Sequence, residues 1–153
     1  FDIYVHLLNI YIAYYDKDRY MTIAKRDLFG NWSKKRLNSV FTGWDAHNYI
    51  TMDFDINNHL HVSGNLHATR MTYFRASKAN DIQSLRQISP MVPYGRDESR
   101  ITYPVFIKDI DANLYFQYRL GGSGNGLTYI NAYDHKTKKW RAHGNAAIFT
   151  NQR

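Results

Sequence analysis

Apolar and polar residues alternate with a period of two along most of the chain, and the alternation recurs in three alignable stretches. "IYIAYYDKDRYMTIAKR" begins at Ile10, "LHVSGNLHATRMTYFRA" at Leu60 and "LYFQYRLGGSGNGLTYINAYD" at Leu114. Each has an alternating strand (Ile10/Ile12, Leu60/Val62, Leu114/Phe116), a polar turn and a second alternating strand. A polar loop follows, and then a bulky apolar residue (Trp32, Leu85, Trp140) that opens a basic strand. Between the stretches lies one more strand, "NYITMDFD" or "TYPVFIKD". Period-two patterning with frequent turns predicts all-β structure. Four strands in a repeat of about 50 residues match a propeller blade. The expected architecture is a partial β-propeller: a single domain over 1–153 with repeats at about 3–49, 50–100 and 101–149, each a four-stranded antiparallel blade. Propellers typically close with about 4–8 blades, so the chain reads as part of a longer one. Residues 77–88 could instead form a short helix.

Composition narrows the class. Of 153 residues 44% are apolar and 16% aromatic, enough for a packed core and unlike a disordered chain. There is no cysteine, which excludes disulfides and thiolate metal sites. The formal charge of +7 suits a polyanionic partner. The basic runs "SKKR" (33–36) and "KTKKWR" (136–141) read as solvated strand ends. No apolar run reaches membrane-spanning length.

Several local motifs fail on inspection. "DFDINN" (53–58) has the first ligand positions of a calcium loop but lacks the glycine at position six and the glutamate at twelve, so a hairpin turn is expected there and at "KDIDAN". "GGSGNG" (121–126) fits neither G-x-S-x-G nor G-x-G-x-x-G and lies between strands; its glycines would let a ligand approach the backbone. "NWS" (31–33) fits a glycosylation sequon and means little without a secretory context.

Four histidines fall between residues 47 and 67. His59 and His61 share one strand face, opposite Leu60, and are expected on a solvated face with no carboxylate placed to complete a metal site. His47 and His67 sit at turns, where capped turn histidines and functional groups are both reasonable readings. Arg119 ends a strand at the repeat position held by Asn65 and Tyr15 in the other two stretches. A surface ion pair with Asp109 or Asp111 is the plain alternative for it.

Together "YIAYYDKDRYMTIAKR", "GWDAHNYITMDFD", "LHVSGNLH", "TYPVFI" and "YRLGGSGNG…YINAYD" resemble the BNR-repeat propeller superfamily that includes bacterial ulvan lyases. The resemblance implies about three blades of a seven-bladed ring and a lyase that cleaves an acidic, sulfated, uronate-containing polysaccharide by β-elimination. The family pattern has two histidines about twenty residues apart, then a tyrosine, then an arginine sixteen residues later. His47, His67, Tyr103 and Arg119 match those positions. The resemblance assigns base and acid to His47 and Tyr103, carboxylate neutralisation to Arg119, and assistance to His67. A further family tyrosine falls beyond residue 153. Asn48, Asn65, Arg119, Gly122 and Asn125 are the expected substrate contacts. No cofactor is required for the chemistry, no residue is assigned to a metal, and a structural divalent ion is left open. The expected partner is the acidic polysaccharide, without nucleic acid or membrane, on a monomer secreted or periplasmic in its full-length parent. A glycoside hydrolase or a non-catalytic sugar-binding protein on the same fold are the alternatives.

Overall fold

A computed structural model describes residues 1–41, 43, 45–94 and 96–144, and the backbone of 149–150. The described structure is all-β with two 3-10 turns and no α-helix. The first sheet is an antiparallel meander of β1 (Asp2–His6), β2 (Asn9–Tyr15), β3 (Tyr20–Arg26) and β4 (Trp32–Val40). The second is built from β5 (Ile50–Phe54), β6 (Leu60–Gly64), β8 (Tyr73–Ala76) and β9 (Leu85–Gln87). The third runs β13 (Lys139–His143), β12 (Leu127–Asp134), β11 (Leu114–Leu120) and β10 (Ile101–Lys108), with β14 (Phe149–Thr150) against β12. One strand leaves its sequence neighbours: β7 (His67–Thr69) pairs with β10 of the third sheet.

Acidic residues hold the hairpins. Asp16, Asp55 and Asp109 each accept backbone N–H bonds from residues two and four positions on. A short side chain that bonds the backbone ahead of it competes with strand extension and fixes the turn. "DFDINN" and "KDIDAN" are therefore turns. In 77–88 the alternative helix does not form; a single 3-10 turn, Ile82–Ser84, capped by Asp81, precedes β9. Too few helical positions precede the strand for a helix to nucleate.

Two cores stack the sheets. Tyr11, Ala13, Met21, Ile23 and Leu37 of the first sheet meet Ile50, Met52, Phe54, Val62 and Phe74 of the second. On the other side Leu66, Met71 and Tyr73 meet Phe106, Phe116, Tyr118, Tyr133 and Trp140 of the third. The middle sheet is thus covered on both faces, and every residue of β6 is buried.

That double burial overturns the expectation for His59 and His61. Period-two alternation marks two faces; it does not say that the polar one is wet. His59 is 8% exposed and His61 fully buried. His61 lies against the rings of Tyr73, Phe106, Tyr133 and Trp140. The carboxylate missing from the sequence reading is Asp55, in contact with both imidazoles. Tyr73 Oη lies 2.8 Å from His61 Nδ1, while Nε2 is 3.5 Å from Asp55 Oδ2, long for a hydrogen bond. Burial pushes the Asp55 carboxyl up, but bonds from His61 and the His59 N–H outweigh it and bring it down to about 2. Burial lowers the His61 imidazole against the pull of Asp55.

The basic runs lie at sheet edges. Lys34 and Arg36 are exposed on β4, where Arg36 pairs with Asp16 and Asp18.

Candidate functional site

The site forms where β7 crosses from the middle sheet to the third. Asp45 caps the 3-10 turn Ala46–Asn48 by accepting the His47 N–H. Tyr15, from the end of β2, donates its hydroxyl to the Asn48 carbonyl at 2.6 Å and ties that turn to the first sheet. The pairing of β7 with β10 sets His67 opposite Thr102. The buried Thr102 hydroxyl accepts the Ala68 N–H at 2.8 Å, which fixes the crossing.

A bulge in β10 presents Tyr103. The register of β10 against β11 slips between Thr102 and Val105, and Tyr103 takes φ of +58°. Left-handed backbone is costly for a bulky residue, and bulges next to sites re-aim side chains. Pro104 follows and offers no N–H to the ladder. The Tyr103 ring is 39% exposed.

Four side chains form one continuous cluster. The His47 and His67 rings stack at 4.4 Å and 14°. His47 lies 5.2 Å from the Tyr103 ring. The Arg119 guanidinium sits over the Tyr103 ring, 4.6 Å from its centroid. Arg119 Nε is buried without a hydrogen-bond partner among the described residues. The alternative ion pair with Asp109 or Asp111 does not form: Asp109 caps its own turn, at the far end of the β10–β11 hairpin. No carboxylate lies within ion-pair distance of Arg119 among the described residues.

Sequence reasoning missed Asp45. Its two carboxylate oxygens contact Nδ1 of His47 and Nδ1 of His67. The His47 N–H, and after it the His47 ring, hold the Asp45 carboxyl below its usual range against a small desolvation penalty. Ligand-type atoms of Asp45, His47 and His67 lie within 4.8 Å of one another, close enough to consider a cation. The "D-A-H" spacing was a usable signal, because a residue two before a turn histidine is a natural cap.

The glycine loop packs against the Arg119 stem. A Cβ on Gly126 would stand 2.6 Å from Arg119 Cδ and 2.7 Å from the Gly122 carbonyl oxygen. Gly126 therefore makes room for the Arg119 stem. Gly122 donates its N–H to Asn125 Oδ1, so these two residues close the loop on itself. Asn65, at φ of +60°, gives its amide to Ser39 Oγ and the Val40 carbonyl. It joins the first and second sheets while still lining the cleft. That cleft, about 520 Å³, opens beside His67 between Asp45, Asn48, Asn65, Thr69 and Arg70. Its size is ordinary for a small-ligand site.

This all-β framework and its repeats define the chain's class. A BNR repeat-containing family model matches residues 9–153, and the chain belongs to that family. Among curated relatives it is similar to the long-isoform ulvan lyase of Pseudoalteromonas sp. (strain PLSV), 36% identical over 61 residues. That match covers 40% of this chain and 6% of the relative. The short-isoform ulvan lyase of Alteromonas sp. (strain LOR) is 39% identical over 59 residues, 31% of this chain and 11% of the relative. Among solved structures it resembles polysaccharide lyase Uly1 with a TM-score of 0.79 at 18% identity, over 92% of this chain and 40% of that one. It also resembles a family PL25 ulvan lyase bound to -[GlcA(1-4)Rha3S]-, with a TM-score of 0.76 at 14% identity, over 97% of this chain and 38% of that one. The chain therefore spans well under half the length of these proteins. At such identity the structural likeness is one of fold.

Proposed function

We propose that these residues are three consecutive blades of a seven-bladed propeller in a secreted polysaccharide lyase that cleaves an acidic, sulfated, uronate-containing polysaccharide by β-elimination. The observation that carries the reading is the contact chain His67–His47–Tyr103–Arg119, assembled from the start of β7, a 3-10 turn, a bulge and a strand end.

Elimination beside a uronate needs three things: the carboxylate neutralised, the C5 proton removed, and the leaving oxygen protonated. Arg119 supplies a permanent planar cation, and its Nε has no competing partner among the described residues. As C5–H gives up its proton, charge spreads onto the carboxylate, so the arginine stabilises the transition state more than the ground state. His47 takes the proton. The C5–H electron pair becomes the C4=C5 double bond, the C4–O bond breaks, and Tyr103 gives its phenolic proton to the departing oxygen. His67, stacked on His47, assists at the carboxylate. Asn48 and Asn65 on the cleft wall and Gly122 and Asn125 near Arg119 are the expected sugar contacts. A retaining or inverting hydrolase would need paired carboxylates, and Asp45 is the one carboxylate touching this cluster among the described residues.

The full-length protein, incubated with ulvan and other uronate polymers, should produce the ultraviolet absorbance of a C4=C5 uronate. Release of reducing ends without that absorbance would replace the lyase by a hydrolase. Binding without either product would leave a sugar-binding protein.

A further inference from the structure

Asp45 does more than cap its turn. We propose that Asp45 is a positioning residue that locks His47 and His67 in one tautomer, Nδ1 protonated and Nε2 bare, so that both rings turn an acceptor nitrogen away from the carboxylate. Oδ1 of Asp45 contacts Nδ1 of His47, and Oδ2 contacts Nδ1 of His67. An ionised carboxylate only accepts hydrogen bonds, so each Nδ1 facing it must carry the proton. A neutral imidazole has one donor and one acceptor, which leaves each Nε2 with its lone pair. The Asp45 carboxylate is itself held by the His47 N–H, so the turn that delivers the histidine also delivers its orienting group. The parallel stacking of the rings at 4.4 Å follows from two imidazoles sharing one planar acceptor. That the bare Nε2 of His47 receives the C5 proton rests on the lyase reading; the tautomer does not.

A cation held by the same three side chains is the competing arrangement. The zinc arm of the test below separates the two arrangements.

The test is long-range ¹H–¹⁵N spectroscopy of histidine-labelled full-length protein at about pH 8, free of substrate and metal, with rings assigned by single His→Gln variants. The expected result is a protonated Nδ1 and an acceptor Nε2 for both His47 and His67. An Nε2–H tautomer at both rings overturns the proposal. So does stoichiometric Zn²⁺ that shifts both rings and survives a chelator. In Asp45→Asn the carboxamide offers one acceptor and one donor; the His47 N–H keeps the acceptor on its side, so His47 should keep Nδ1–H and His67 should switch. If the wild-type protein is a lyase, Asp45→Ala, which frees both rings, should lower kcat by about 10²–10⁴-fold with little change in KM, the cost of a wrong tautomer at a histidine base. Full activity in Asp45→Ala would overturn the positioning role. Locked tautomers in a wild-type protein that produces no unsaturated uronate would support the Asp45 assignment and sink the lyase reading instead.

Discussion

Replacing His61 by leucine isolates the polar node that joins the middle and third sheets. The imidazole is fully buried, its Nδ1 2.8 Å from Tyr73 Oη and its Nε2 3.5 Å from Asp55 Oδ2. Leucine fills comparable space among the four surrounding rings, so the packing loss is small and the polar loss dominates. The Tyr73 hydroxyl, with the rest of that side chain, is sealed from water and would lose this partner. Leaving a buried polar group unsatisfied costs about 1–3 kcal/mol. Asp55 keeps its bonds from the Asn57 and His59 N–H groups, so its loss is smaller. A total near 2–4 kcal/mol is expected for His61→Leu in urea unfolding at neutral pH. His61→Leu combined with Tyr73→Phe should recover about 1 kcal/mol or more relative to additivity, since removing both partners leaves no orphan. Acid adds a second signature. Burial lowers the folded imidazole below its ordinary 6.5, against Asp55 and with Arg75 and His59 nearby. The unfolded chain then binds more protons just below pH 6.5, so stability falls on acidification through that region. Asp55, held to about 2 against an ordinary 3.8, adds stability above 3.8 that is lost as pH falls toward 2. Wild-type protein should therefore weaken in two separated steps, and His61→Leu should shrink the upper one, to which His6, also lowered by burial, still contributes. A loss under about 0.5 kcal/mol, or an unchanged step near pH 6, would refute the node.

The remaining predictions concern Arg119. Arg119→Gln should lower kcat/KM on a uronate polymer by about 10²–10³-fold, as for removal of a preorganised charge donor, with unfolding little changed; near-wild-type turnover would remove Arg119 from the mechanism. Gly126→Ala puts a Cβ 2.6 Å from Arg119 Cδ and should lift the guanidinium off Tyr103, at a stability cost of about 1–3 kcal/mol. Its kcat/KM loss should vanish in the Arg119→Gln background, and additive losses would show that the glycine acts elsewhere.

Much of the fold was legible because its signals are local. Period-two alternation marks strands, and Asp16, Asp55 and Asp109 mark turns through bonds to the backbone just ahead of them. What was not legible depends on which sheet faces which. His59 and His61 alternate with Leu60 as an exposed face would, and only the third sheet, more than forty residues on in sequence, buries them. The Tyr103 bulge and the β7 crossing are pairing events between repeats, invisible to a pattern read along one strand.

The same distinction separates two kinds of histidine pair in this chain. His59 and His61 share a carboxylate, Asp55, inside a closed aromatic layer, where Tyr73 occupies the nitrogen of His61 that the carboxylate does not face. His47 and His67 share Asp45, each contacting it through Nδ1, and Asp45 and His67 line an open cleft. A histidine with both nitrogens facing protein groups in a sealed core can stabilise a fold but has no path for a proton to or from a ligand. One oriented on a single side by a carboxylate and partly open can exchange a proton with a ligand. Spacing alone does not distinguish the pairs; what distinguishes them is burial, complete at His61 beside Tyr73 and partial at His47 and His67.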